Sequence, residues 1–315
     1  MILAGRGSAI LPPTMPLVPS RRTITSIPDR VARLVTHGHV RVSDEELRRS
    51  VEGRVVLVTG ASYGIGEATA KRLVDAGATT ILVARTAERL QEVAADLGPG
   101  ARAYPCDLTD FDAVGALAEQ VLADHGAPDV IVNNAGKSIH RSIAASAERF
   151  HDFQRTIDIN YLAPVRLTIA LLPAMRERGS GHLVNTSTWG VYGMPIAPGW
   201  SAYLASKAAF DTWVRCVAQE IRGDGLTATT VHMGLVRTRM ASSAVTQGMP
   251  AMTPDEAAHI MCHAIVKRPR LAGPWWAGPA DLISNQVFRG PTEALHSRLF
   301  TESEKRGWGM GGYPG

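Results

Sequence analysis

The sequence predicts an α/β fold in which one parallel, doubly wound sheet carries helices on both faces. Three observations predict it. From residue 54 onward, short apolar runs rich in β-branched residues alternate with helix-length segments, the pattern of repeated strand–helix–strand units. The first run, Val55–Thr59, leads straight into a glycine-rich turn and then a helical segment. The chain has 315 residues, 45% of them hydrophobic and 20% charged, which suits one α/β domain of about 250 residues plus extensions.

Each element follows from local signals. After the strand at 55–59, Glu67–Ala76 reads as a helix ended by Gly77. Thr79–Ala84 is the second strand, and Glu88–Leu97 a helix stopped by Gly98-Pro99-Gly100. Ala101–Pro105 is the third strand, Asp110–His125 a helix ended by Gly126, and Asp129–Asn133 the fourth strand. A long helical stretch runs from about 148 to 177, then a strand at 182–187, a helix at about 201–222 and a strand at 226–232. Thr253-Pro254-Asp255-Glu256 opens a helix at 254–267 with a cap, a proline at the first position and a glutamate three residues on. A last strand is expected near 271–275.

The ends read differently. Residues 29–50 are expected to be helical, with Ser43-Asp44-Glu45-Glu46 forming a capping box. Residues 1–28 hold Pro12, Pro13, Pro16, Pro19 and Pro28 and read as disordered. The prolines interrupt the apolar stretch there, so it makes a poor signal peptide, and Met15 is an alternative start. The expected division is an extension at 1–50, a cofactor-binding domain at 51–280 and a tail at 281–315.

Charge and cysteine content exclude several functions. The net charge is +4, and no Lys/Arg run of five occurs, which argues against nucleic acid as a partner. Arg21, Arg22, Arg30, Arg33 and Arg41 allow contact with a partner subunit or at most peripheral contact with a membrane, and a solvated arm is the favoured explanation. No uninterrupted apolar run reaches the roughly 18 residues of a membrane helix. Cys106, Cys216 and Cys262 lie far apart, without a C-x-x-C pair, and read as buried small residues in a reducing, cytoplasmic compartment. No His/Asp/Glu group has metal-ligand spacing.

The turn Gly60-Ala61-Ser62-Tyr63-Gly64-Ile65-Gly66 has the features of a phosphate cradle. Its glycines let the backbone approach a pyrophosphate, and the following helix offers unpaired N–H groups to the anion. Where an acidic residue would hold the ribose of NAD, at the end of the second strand, the sequence has Ala84-Arg85-Thr86. A guanidinium there pairs with a 2′-phosphate, so NADP(H) is the expected cofactor.

Taken with Asp107 after the third strand, Asn133-Asn134-Ala135-Gly136 after the fourth, Asn160, Tyr203-x-x-x-Lys207 and Thr238, these features make the chain resemble the short-chain dehydrogenases/reductases from about residue 52 to 275. The resemblance implies a Rossmann-type fold. Within the family it is similar to actinobacterial-type fatty acyl-CoA or long-chain ketoacyl reductases, through Ser138-Ile139-His140-Arg141-Ser142, Arg149-Phe150-His151-Asp152-Phe153 and Val236-Arg237-Thr238. It implies that Asp107 and Leu108 adjoin the adenine, that Asn133, Ala135 and Gly136 line the cofactor, and that Val236 and Thr238 meet the nicotinamide. Met233-Gly234 departs from the family's usual Pro-Gly. The resemblance also implies a homodimer or homotetramer packed through the helices at 148–177 and 201–222.

Carbonyl reduction needs a hydride at carbon and a proton at oxygen. Tyr203 can give the proton, and Lys207, four residues on along a helix, faces the same side and favours the tyrosinate. Both belong to the cofactor-binding set as well. The catalytic hydroxyl falls on the pair Ser187-Thr188; Thr188 is the aligned position, and either can serve. Asn160 would complete a proton relay. Lys137, His140 and Arg141 either meet an acidic or carrier-bound substrate or form a solvated loop. Trp189, Tyr192, Met194, Trp200, Met233, Met240, Met249 and Met252 either line a broad apolar pocket or pack the core and a lid. His182 and His232 read as structural. The expected function is NADPH-dependent, reversible reduction of a ketone, aldehyde or acyl thioester of a lipophilic, fatty acyl-CoA-like small molecule. The alternatives are a non-catalytic cofactor-binding scaffold and a sugar-nucleotide epimerase or dehydratase, the latter disfavoured by the short stretch after the last strand.

Overall fold

The computed structural model describes residues 40–192, 198–241, 249–283 and 288–298, apart from 292 and 296. The expectations for residues 1–39, Met194 and the final glycine-rich coil lie outside the described residues.

Seven parallel strands form one sheet in the order 3-2-1-4-5-6-7. They are β1 (Val55–Thr59), β2 (Thr79–Ala84), β3 (Ala101–Pro105), β4 (Val130–Asn133), β5 (Gly181–Thr188), β6 (Leu226–Met233) and β7 (Leu271–Ala272). The helices are α1 (Asp44–Val51), α2 (Gly64–Asp75), α3 (Ala87–Leu97), α4 (Phe111–His125), α5 (His151–Ile157), α6 (Ala163–Arg178), α7 (Ser201–Glu220), α8 (Pro254–Lys267) and α9 (Ala277–Leu282). Alternation along β1 divides the core. Val56 and Val58 face α1, α2, α3 and α8, whereas Leu57 joins Ile81, Val83 and Ile131 against α4, α6 and α7. All are buried, as expected for a sheet covered on both faces. The order reverses between β1 and β4, which opens a crevice at their C-terminal ends.

Several elements depart from the sequence expectation. Helical structure before β1 begins at Asp44 and does not extend back through 40–43. The Ser43 hydroxyl accepts the Glu46 amide while the Glu46 carboxylate accepts the Ser43 amide, and this reciprocal cap fixes the start. α1 is then held by Lys267 to Glu46 at 2.8 Å and Arg72 to Asp44 at 2.7 Å. α2 begins at Gly64, inside the turn rather than after it. The long helix at 148–177 is α5 and α6 joined by a π turn, Asp158–Leu162. By length and composition, His151–Arg178 is apolar enough to cross a membrane, although polar and charged residues such as Asp158, Asn160 and Arg166 interrupt its apolar run. Its Ala163, Leu167, Leu171 and Met175 are fully buried against the sheet, so the apolar stripe serves the core. β7 has only two residues. Cys106 and Cys262 are buried, but Cys216 lies exposed on the outer face of α7, contrary to expectation.

Candidate active site

At the crevice, the end of β1 is held to the end of β4 by one hydroxyl. Thr59 Oγ1 donates to the Val132 carbonyl at 3.2 Å and accepts the amides of Asn134 and Ala135 at 2.9 and 3.0 Å. Asn134 Nδ2 returns to the Thr59 carbonyl at 3.0 Å. This lattice presses the glycine turn against 134–136. Gly60, at φ +67°, could carry no side chain there, since a Cβ would lie 2.9 Å from Ala135 Cα. A Cβ on Gly66 would lie 2.2 Å from the Gly60 carbonyl oxygen. The cradle is therefore backbone-lined, and α2 opens directly onto it, a combination that fits a dinucleotide pyrophosphate. Sequence reasoning missed the parts played by Thr59 and Asn134. Their signal was present as a hydroxyl at the strand end and a carboxamide facing it.

Arg85 follows β2 on the rim of the groove. Its side chain is 79% exposed and reaches Asp107 at 3.9 Å. Thr109 donates to the Asp107 carboxylate from its amide and hydroxyl; those bonds and Arg85 outweigh desolvation and hold its pKa below the usual value. Leu108 is buried in the core, so only its backbone can face the groove. Asn133 is likewise turned inward: its Nδ2 donates to Asn185 Oδ1 at 2.9 Å and Thr168 Oγ1 at 3.3 Å. Arg89, not anticipated from sequence, donates to the Ser62 carbonyl at 3.3 Å and to Glu67 at 2.6 Å. The Tyr63 ring lies between Arg89 and Arg239, with guanidinium carbons 5.3 and 4.3 Å from its centroid. Arg239 comes from the segment that carries Val236 and Thr238. Val236 bridges Met252, and a Cβ on Gly64 would lie 2.9 Å from the Thr238 methyl. Ser62 is buried and Ile65 half-buried.

The reacting groups converge where β5 meets the first turns of α7. Lys207 is 5% exposed, and its Nζ donates to the Thr186 carbonyl at 2.9 Å. Burial lowers its pKa to about 8. Tyr203 lies one turn earlier; desolvation of its hydroxyl pushes its pKa up to about 12, against a hydrogen bond from Thr188 that pulls it down. Thr188, at the strand end, is thus the hydroxyl beside the phenol. Ser187 points to the opposite face, 3% exposed, and its Oγ has no partner among the described residues. Strand alternation separates the two candidates.

Asn160 sits in the π turn, 1% exposed. Its Oδ1 accepts the Lys137 amide at 2.8 Å, and its Nδ2 donates to the Lys137 carbonyl at 2.8 Å and Ser206 Oγ at 2.9 Å. Ser206 in turn donates to the Tyr203 carbonyl at 2.7 Å. Both amide hydrogens are thereby taken up, so the side chain holds 137 against α7. A Cβ on Gly136 would lie 2.8 Å from Asn160 Oδ1 and 3.3 Å from Lys207 Nζ, so the glycine lets Lys207 border the groove.

The expected apolar pocket divides. Met233 and Met252 are buried in the core, while Met240 and Met249 are about two-fifths exposed. Trp189 stacks edge-on to Trp276 at 5.8 Å, and His140 lies 4.1 Å from Trp200, so each of these two indoles packs against a ring from another segment. His182 is fully buried, bonded to Thr227 and the Ala264 carbonyl, and burial lowers its pKa to about 4. His232 bonds to Asp211 at 2.9 Å beneath the Tyr192 ring.

Comparison with known proteins agrees with this fold. Residues 54–248 match the short chain dehydrogenase family. The chain is 48% identical over 256 residues to an uncharacterized oxidoreductase of Mycobacterium tuberculosis, covering 78% of this chain and 74% of that protein. It is 45% identical over 227 residues to the fatty acyl-CoA reductase of Acinetobacter baylyi, covering 71% and 76% respectively. Among solved structures it is similar to a metagenomic short-chain oxidoreductase in complex with NADP, at 34% identity and a TM-score of 0.60, over 69% of this chain and 92% of the other.

Proposed function

This chain belongs to the short-chain dehydrogenase family of oxidoreductases, and from that premise we propose that it uses NADP(H) to reduce the carbonyl of a long-chain acyl-CoA, aldehyde or ketone, reversibly. The observation that carries the reading is the row Thr188, Tyr203 and Lys207 beside Gly136 and the glycine cradle. NADPH, when bound, supplies the hydride. The chain's own residues handle the oxygen. The hydroxyls of Thr188 and Tyr203 donate to the substrate carbonyl, and Tyr203 delivers its proton as the oxygen gains charge. Lys207, protonated up to a pH of about 8, lowers the cost of the tyrosinate left behind. Asn160 acts as a positioning residue by fixing 137 and, through Ser206, the first turns of α7. With a thioester, the same delivery gives a hemithioacetal, whose collapse breaks the C–S bond and releases thiol and aldehyde.

Support for NADP(H) comes from Arg85, whose exposed guanidinium has only a loose partner among the described residues, and from the NADP complex of a similar oxidoreductase. Support for a lipophilic thioester comes from the relatives that are fatty acyl-CoA reductases. The test is cofactor oxidation by the purified protein with NADPH and NADH across acyl-CoA, 3-ketoacyl and aldehyde substrates of graded length. The expected result is NADPH preference with activity rising with chain length. Preference for NADH would overturn the Arg85 argument. Turnover that survives in Tyr203→Phe would refute the proton delivery.

A further inference from the structure

Segment 137–156 gathers cations around a single buried carboxylate. The Asp152 side chain is 4% exposed. Its Oδ2 lies 2.9 Å from Arg141 Nε and 3.3 Å from Arg149 Nε; its Oδ1 lies 3.4 Å from His151 and 4.0 Å from Arg155. Among the described residues, no other carboxylate comes within 4.0 Å of these three guanidiniums, and one charge cannot neutralise three. The Arg141 side chain is largely buried, at 14% exposure, and serves the ion pair. Arg149 and Arg155 are 43% and 51% exposed and keep donors for an outside acceptor. The Lys137 pKa lies below the ordinary lysine value, first through burial, then through Arg155 and Arg85, with Asp152 opposing them. An anion placed among these groups relieves their mutual repulsion.

The cluster is fixed to the reacting groups. Asn160 grips both backbone polar groups of Lys137. The Arg141 amide donates to the Gly199 carbonyl at 2.7 Å, and Thr156 Oγ1 to the Ala202 carbonyl at 3.3 Å, immediately before Tyr203. In the same segment, Ile143 is 73% and Phe150 69% exposed. Exposed cations and exposed apolar side chains within one segment suit a ligand with a phosphorylated end and an aliphatic portion.

We propose that Arg149 and Arg155 form a subsite for the phosphates of a CoA-linked acyl substrate, with the Arg141–Asp152 pair as its rigid base. This rests on the thioester reading above and specifies how the non-reacting end of that substrate is held.

The test compares the wild-type protein with Arg149→Gln/Arg155→Gln, both saturated with NADPH. Calorimetric binding is measured for CoA, 3′-dephospho-CoA, pantetheine and phosphatidylglycerol vesicles, with thermal unfolding as the control for folding. The wild type is expected to bind CoA at least about tenfold more tightly than pantetheine. The variant should lose that margin, raise KM for a long acyl-CoA about tenfold, and change kcat/KM for a long-chain aldehyde less than twofold. Equal affinity of wild type and variant for CoA, or equal loss on aldehyde and thioester, overturns the proposal. So does an effect confined to binding of phosphatidylglycerol vesicles, which would make the patch a lipid-surface contact. If the wild type reduces no thioester yet binds CoA through these arginines, the proposed reaction fails while the subsite stands.

Discussion

Lys207→Met removes an ammonium that folding has taken out of water, and its effect on stability has a calculable pH dependence. Burial lowers the Lys207 pKa from 10.5 to about 8. At 1.36 kcal/mol per unit, keeping it charged in the folded protein costs roughly 3 kcal/mol. Against that, the variant leaves the buried Thr186 carbonyl, now bonded at 2.9 Å, without its donor, a loss of about 1–3 kcal/mol, so it should match or slightly exceed the wild type at pH 7. The sharper quantity is the slope. Between pH 8 and 10.5 the unfolded chain holds this proton and the folded chain does not, so wild-type stability rises with pH. The contribution is complete above the unfolded pKa and lost as pH falls through about 8. From pH 7 to pH 10 the wild type should gain about 2.5 kcal/mol relative to the variant. Other titrating groups are common to both proteins and cancel in the difference. Urea unfolding of the cofactor-free proteins at the two pH values measures it. A wild-type-minus-variant difference that stays constant within about 0.5 kcal/mol between pH 7 and 10 would refute the reasoning.

Thr188→Ala should lower turnover about a hundredfold or more, because it removes a donor at the reacting oxygen, whereas Ser187→Ala should stay within a few-fold; steady-state rates on both variants decide which hydroxyl serves. Arg85→Ala should weaken NADPH binding by about 1.5–3 kcal/mol, or roughly 10- to 100-fold, and leave NADH binding unchanged, as read by fluorescence titration. Thr59→Val leaves the amides of Asn134 and Ala135 without their acceptor and should cost about 2–4 kcal/mol in urea unfolding; a loss under 0.5 kcal/mol would mean that the turn is held by other contacts.

The strands were legible because each apolar run is bracketed by glycine, proline or a capping residue. β2 and β3 fall where composition puts them. That Tyr203 and Lys207 lie one turn apart on a single helix, α7, was legible because spacing on a helix is geometry. What escaped depends on contacts between distant segments. The π turn at Asp158–Leu162 has no local signature; it places Asn160 where Lys137 and Ser206 both reach it. The methionines divided between core and surface because a flexible apolar side chain suits either place. Arg89 lies four residues beyond Arg85, and only the fold shows that it turns back to the Ser62 carbonyl.

The two halves of the site are joined by side chains that leave the reaction itself to others. Thr59 and Asn134 tie the glycine turn to the segment after β4, Asn160 ties that segment to α7, and Gly136 lies between them with no room for a methyl group. Tyr63 ties the turn a second time, between Arg89 and Arg239, to the strand-following segment that brings Thr238 over Gly64. A shift of the turn must therefore be felt at Lys207, through residues 134–137, and at Thr238, through Tyr63. Such linkage suits a reaction in which the hydride donor and the proton donor must approach opposite ends of one carbonyl at the same moment, because misplacement of either by about an ångström costs rate steeply.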